Sequence, residues 1–245
     1  MSATEAKDLE SRKRDALKCL CEFVSKVKNL IESISAESLI EGGGINPYMV
    51  KTLGMKSIKE AVNFFVHRRV ERSLGTSFGI VLDNLIRVLL GGMKGKDLTK
   101  QYGNWIGWWD AVLPDRKIVI SIKSGPADMD KDQVLYFAER AREARKHGFR
   151  PFLVFAYGKH AFPVIERYLR EEGFPPDEYL RIGREIFEEF LLDSEYYKEV
   201  LRICEVAGKD IGDVFELIEK KIESLTEELE KRYQGSLDRL LENTL

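Results

Sequence analysis

The chain has 245 residues, with 39 Lys and Arg against 41 Asp and Glu, a formal charge of −2 and a hydrophobic content of 44%. That content supports a packed core and excludes wholesale disorder, and no apolar run approaches the ~18 residues of a membrane span. Near-neutral charge excludes a uniformly basic nucleic-acid binder, but not one whose basic patches are offset by acids elsewhere.

The opening tract MSATEAKDLESRKRDALK is charged where a secretory signal is apolar, so an intracellular, cytoplasmic protein is expected. Cys19, Cys21 and Cys204, with His67, His147 and His160, show no metal-ligand spacing. They read as free thiols in a reducing compartment and argue against a zinc site. Charged residues reach 33% and glutamine occurs only at 101, 133 and 234, a composition of the heat-adapted kind.

In chain order, Leu17, Leu20, Phe23, Val24, Val27, Leu30 and Ile31 recur at helical spacing and predict one amphipathic helix over 5–34. Gly42-Gly43-Gly44-Ile45-Asn46-Pro47 breaks it. A second helix is expected over 57–72, capped by Ser57 with Glu60 completing a capping box, and ending in a basic cluster before Gly75. Phe78, Val81, Leu82, Leu85, Val88 and Leu89 mark a third, stopped by Gly91-Gly92. The tracts 105–113 and 117–123 are aromatic and β-branched around Pro114-Asp115, and read as an antiparallel hairpin. Ser124-Gly125-Pro126 ends it, a helix follows from about Asp130 to His147, and Phe152–Tyr157 forms a third strand.

The remainder reads as mostly helical, with a loop at Pro175-Pro176 and a short strand at Tyr179–Ile182. Ile211, Phe215, Ile218, Ile222, Leu225 and Leu229 make a heptad seam, suited to intrachain packing or a short interface. The expected fold is α/β: a mixed-sheet core ordered helix, strand, strand, helix, strand, with helices at both ends. Its stretches are 1–72, 73–160 and 161–245, the last packed on the core.

The chemistry concentrates in the hairpin. Lys117, Val119, Ser121 and Lys123 alternate with Ile118, Ile120 and Ile122, so a serine and two lysines share one strand face. A four-residue turn at 113–116 sets 112 opposite 117 and 110 opposite 119. Asp110 then shares the face of Ser121 and Lys123, whereas a three-residue turn separates them. Such a pair can be a plain buried ion pair. Three features favour a functional site: the forced turn at Ser124-Gly125-Pro126, the polar helix start Asp128–Gln133, and Asp83, set off the apolar stripe of its helix.

Asp110, followed thirteen residues later by Lys123 within that element order, resembles the PD-(D/E)XK nuclease superfamily. The tracts IKSGPADMDKDQ, INPYMVKTLG and ERSLGTSFGIVLDN resemble its short type II restriction endonucleases in particular, among them the group cutting GGNCC-type sites. The resemblance covers roughly residues 45–157.

It implies Mg²⁺ held by Asp110, a second carboxylate and the carbonyl of Ile122, with Lys123 orienting the attacking hydroxide and stabilising the transition state. The sequence departs from the pattern at Ser121, which stands where an acid is expected. Asp83 is preferred as the second carboxylate over Glu139, with Asp132 and Glu71 behind them; Gln133 at the helix start matches a glutamine found in other branches.

For double-stranded DNA, one tract is His67, Arg68, Arg69 and Arg72, and another is Arg140, Arg142, Arg145, Lys146 and Arg150, with Ser124 and Lys131 beside the site. Trp105, Trp108 and Trp109 are read as core packing before base stacking. The implied activity is Mg²⁺-dependent cleavage of a short site, by a homodimer where that site is twofold symmetric. The alternatives are a repair or junction nuclease of the same fold, an inactive DNA-binding relative, and an unrelated helical interaction protein.

Overall fold

In the computed structural model, which describes residues 3–209 and 211–245, apolar periodicity resolves into twelve α-helices. They are α1 (Ala3–Ser33), α2 (Ala36–Ile40), α3 (Pro47–Thr52), α4 (Ile58–Leu89), α5 (Thr99–Tyr102), α6 (Lys131–Lys146), α7 (Pro163–Glu171), α8 (Pro176–Tyr179), α9 (Glu185–Leu191), α10 (Tyr196–Gly208), α11 (Val214–Tyr233) and α12 (Leu237–Glu242). Four strands complete the α/β fold: β1 (Ala111–Leu113), β2 (Ile118–Lys123), β3 (Arg150–Phe155) and β4 (Leu180–Ile182). The chain is 69% helical, and none of its described helices is long and apolar enough to cross a membrane.

The sheet order is β1-β2-β3-β4, with β1 antiparallel to β2 and the other two pairs parallel. Helix α6 makes the crossover between the parallel strands β2 and β3. Pro114 starts a tight turn and Lys117 ends it in the left-handed region at φ 50°. That turn occupies 114–117, because Leu113 pairs with Ile118.

Several sequence expectations change. The break at Gly75 is absent, and α4 runs unbroken through it. A helical glycine costs only about 1 kcal/mol relative to alanine, and buried Val62, Phe65, Val66 and Val70 before it, with Leu85, Ile86 and Leu89 after it, outweigh that. Ser57 does cap the helix, its Oγ accepting the Glu60 N–H at 3.1 Å. The Glu60 carboxylate, however, accepts the N–H of Lys56 at 2.7 Å, one residue outside the expected box.

The strand expected over 105–113 is mostly a 3-10 turn, Asn104–Trp108, and only Ala111–Leu113 joins the ladder. Burial of Ile106 and Trp109 curls this tract into the core. Met93 covers the outer edge of β1 through paired hydrogen bonds with Val112, at 2.9 and 2.8 Å.

The chain divides into two compact units whose boundaries do not follow 72 and 160: one comprises Met1–Leu20 and Gly79–Ala207, the other Cys21–Phe78 and Gly208–Leu245. In the first, strand alternation sends Val112, Val119, Leu153 and Phe155 to the face covered by α6 and α7. Ile118, Ile120, Ile122, Phe152 and Val154 go to the face covered by Ile86, Leu90, Ile186 and Phe190. In the second unit, Ile218, Ile222, Leu225 and Leu229 of the heptad seam are buried in that unit's own core, while Phe215 stays 73% exposed. The seam is therefore taken up in intrachain packing.

Candidate active site

The site forms where β2 outruns β1. The N–H of Asp110 donates at 3.1 Å to the carbonyl of Ile120, which is also the partner of Ala111, so Asp110 forms a bulge at the start of β1. The paired register ends at Ala111 with Ile120, and Asp110 lies just beyond it, its side chain reaching Ser121 and Ile122. The turn has the expected four residues but begins one residue later, which moves the register by two. A two-residue slip preserves facing within the ladder, and Asp110, beyond the ladder, still meets Ser121 by hydrogen bond and Lys123 by charge.

Asp110 is held from β2. Its Oδ2 accepts the N–H of Ile122 at 2.8 Å and the hydroxyl of Ser121 at 3.4 Å. Ser121 is only 1% exposed, so the residue standing in the acidic position orients the neighbouring carboxylate. Ile120 and Ile122 turn their peptide groups to the β1 side. The Ile122 carbonyl thus points to the Asp110 side, beyond the end of β1.

Asp83 reaches the same place from α4. One helical turn earlier, Gly79 lets the helix pass close to Ser124, whose Oγ would lie 3.2 Å from a Cβ at that position. Burial, reinforced by the charges of Asp110 and Asp128, pushes the Asp83 carboxyl up to about 7 against the opposing pull of Lys123. Burial also raises Asp110, opposed by the Ile122 N–H, by Lys123 and by Ser121. Lys123 thus acts on both carboxylates, yet among the described residues no ion pair joins it to either. The geometry is not that of a closed buried ion pair.

Asp83 and Asp110 line one cavity of about 200 Å³ with Trp108, Arg87, Lys94 and Lys96. Asp128, outside the expected ligands, accepts the Gly125 N–H at 3.1 Å and carries its charge toward Asp83. Among the described residues no three His, Cys, Asp or Glu side chains gather closely enough to hold a metal ion. What is present is two mutually repelling carboxylates with a backbone carbonyl alongside, an all-oxygen set whose charge and hardness suit Mg²⁺.

Other expected residues lie elsewhere. The Gln133 side chain is exposed, and its N–H serves the Asp130 cap of α6 at 2.9 Å. Asp132 and Glu139 are exposed on α6, and Glu71 belongs to the other compact unit. Lys131 lies 5.1 Å over the Tyr168 ring.

The α6 arginines make contacts within the protein. Arg142 pairs with Glu172, and Arg145 hydrogen-bonds Tyr179 and stacks over Phe174 and Tyr179 at 4.5 and 4.6 Å. Arg140 bonds to the Tyr136 hydroxyl at 2.8 Å and lies over that ring. Their spacing resembled a cationic stripe because α6 turns a polar face outward, but aromatic rings and Glu172 claim that face.

The other basic tract is more open. Arg68, Arg69 and Arg72 line a pocket of about 520 Å³ with Asn46, Ser73 and Thr76. Arg69 donates to Ser38 at 2.9 Å and Arg68 approaches the Met49 sulfur at 3.1 Å. Among the described residues, none of these three arginines has an acidic partner. His67 instead lines an apolar groove with Phe23 and Phe215.

The tryptophans pack: Trp109 is buried, Trp105 stacks on His147 at 4.5 Å, and Trp108 meets Trp109 and Tyr136 edge-on at 4.9 and 5.5 Å. Compared with protein-family models and with curated proteins, the chain matches none.

Proposed function

We propose that this chain is a Mg²⁺-dependent endonuclease of the PD-(D/E)XK type, acting as a type II restriction enzyme that hydrolyses phosphodiester bonds at a short site in double-stranded DNA. The observation that carries this reading is the meeting of Asp83, Asp110 and Lys123 at the end of β2, with the two carboxylates on one cavity. Asp83, Asp110 and the Ile122 carbonyl are the groups that would hold Mg²⁺. Bound there, the ion would supply charge neutralisation and an acidified water.

The chain's own groups have distinct tasks. Ser121 and the Ile122 N–H fix the Asp110 carboxylate, so its orientation costs nothing at the moment of reaction. The Lys123 Nζ orients the attacking water and donates to a non-bridging phosphate oxygen. The water oxygen bonds to phosphorus and releases a proton to solvent, the bond from phosphorus to the 3′ oxygen breaks, and that oxygen takes a proton from solvent, leaving a 5′-phosphate. Arg68, Arg69 and Arg72, without acidic partners, suit the phosphate backbone.

The test is incubation of plasmid and phage DNA with Mg²⁺ or EDTA at ~37 and ~65 °C, the higher temperature suiting a charge-rich composition. Discrete fragments that disappear in EDTA are expected. A smear would replace site-specific cutting with a repair-type activity. Intact DNA that is nevertheless bound would leave a DNA-binding protein without chemistry.

A further inference from the structure

The turn after α4 carries two lysines, Lys94 and Lys96, on either side of Gly95, and both line the cavity of Asp83 and Asp110. Their placement is fixed by backbone. Met93 is hydrogen-bonded both ways to Val112, and the Gly95 N–H donates to the Trp109 carbonyl at 3.0 Å. Gly95 is buried so tightly that a Cβ there would lie 2.0 Å from the Ile106 carbonyl oxygen and 2.7 Å from that of Trp109. The turn therefore lies against the 104–109 segment at a distance only glycine permits, and its two neighbours project as exposed side chains.

Neither ammonium is engaged by a carboxylate among the described residues. Arg87, the third cation on the cavity, is already held by Asn84 at 3.0 Å and by the Gly92 carbonyl. The charges acting on Asp83 are those of Asp110, Lys123 and Asp128. The two lysines are thus positioned cations on a wall of an acidic cavity, without a partner of their own. An anion entering this cavity meets two carboxylates, and these lysines are the free groups that offset the repulsion.

Resting on the nuclease reading above, we propose that Lys94 and Lys96 form a phosphate clip on this cavity, gripping backbone phosphates of duplex DNA beside the bond to be cut. Lysine meets a phosphate as a compact point charge, and a phosphate contact carries no base information. The clip therefore contributes affinity and salt dependence equally on all sequences and carries no site preference.

The test measures binding of a fluorescent duplex to the full chain in EDTA, across a range of salt, by anisotropy. Lys94→Ala/Lys96→Ala is compared with wild type and with Lys198→Ala/Lys220→Ala, which removes the same charge elsewhere. Each phosphate left without its lysine lowers the slope of log K against log salt by about 0.9, so the clip variant is expected to be shallower by about 1.8. Its affinity should fall to a similar degree on duplexes with and without the cut site, with an unchanged circular dichroism spectrum. Lys94→Gln/Lys96→Gln should behave alike, which separates the removal of charge from a misfolded turn.

A clip variant with the wild-type slope, or a control whose slope falls equally, overturns the clip alone when wild type binds and cuts. Wild-type protein that neither binds duplex DNA nor cuts it with Mg²⁺ overturns both the clip and the nuclease reading.

Discussion

Asp110 owes its role to what surrounds it: a half-buried carboxylate kept in place by one amide and one hydroxyl, with a lysine near but not paired to it. Under the nuclease reading, Asp110→Asn and Lys123→Ala each reduce cleavage by ~10³-fold or more, the scale of losing a group that stabilises transition-state charge. A gel assay with Mg²⁺ checks this. Because no ion pair is broken, Lys123→Ala should cost under about 1 kcal/mol in urea unfolding, against ~3–5 kcal/mol for a stranded partner of a buried pair.

Asp83 makes a pH prediction. Its folded-state pKa of about 7 lies above the ordinary 3.8, so between those values the folded chain keeps a proton that the unfolded chain has released. Stability therefore falls as pH rises from about 4 to 7, by ~2 kcal/mol once the partial exposure of the group is allowed for. Asp83→Asn should flatten that decline in thermal melts, and Mg²⁺ added above pH 7 should raise the melting temperature of wild type but not of the variant. A decline of equal size in the variant would remove Asp83 as its source.

Asp83, Asp110, Ser121 and Lys123 were legible in the sequence because period-two alternation and one off-stripe helix position fix their faces. Asp128, Lys94 and Lys96 lie on turns, where no period links residue number to direction, and only the folded backbone brings them to the site.

At the scale of elements, tertiary burial overrides local signals. Gly75 looked like a stop, but a long helix with apolar anchors on both sides of it tolerates one exposed glycine. The 105–113 tract had strand composition, yet its aromatic residues serve the core, which a 3-10 turn satisfies better than an extended ladder. The hairpin register slipped by two residues and left the facings of 111–113 intact, which shows why parity survives a misplaced turn.

Gly95 is the least replaceable residue of that connection. Gly95→Ala sets a methyl group against two carbonyl oxygens and should destabilise by ~1–3 kcal/mol, measured by urea unfolding. Gly148→Ala is a contrasting control: its left-handed backbone is strained by a side chain, but it has open space around it. A Gly95→Ala protein as stable as wild type would mean that the turn is free to lift away from the 104–109 segment.

For the whole molecule, the division into units was hidden because each draws on separated stretches of chain, and the boundaries at Leu20 and Phe78 fall inside α1 and α4. No linker composition marks a boundary placed within a continuous helix. The same burial changes the dimer argument: Ile218, Ile222, Leu225 and Leu229 are already covered within their own unit, so the heptad seam is not free for a second copy. A nuclease cutting both strands of a twofold-symmetric site still needs two active sites related by that axis. A chain of 28.2 kDa carrying one Asp83–Asp110–Lys123 group should therefore bind a palindromic duplex as two copies, adding ~56 kDa of protein to the duplex mass in sedimentation velocity. One copy per duplex together with nicked circular plasmid as the end product would instead define a single-strand cutter, and the symmetric-dimer reading would give way to the repair-type one.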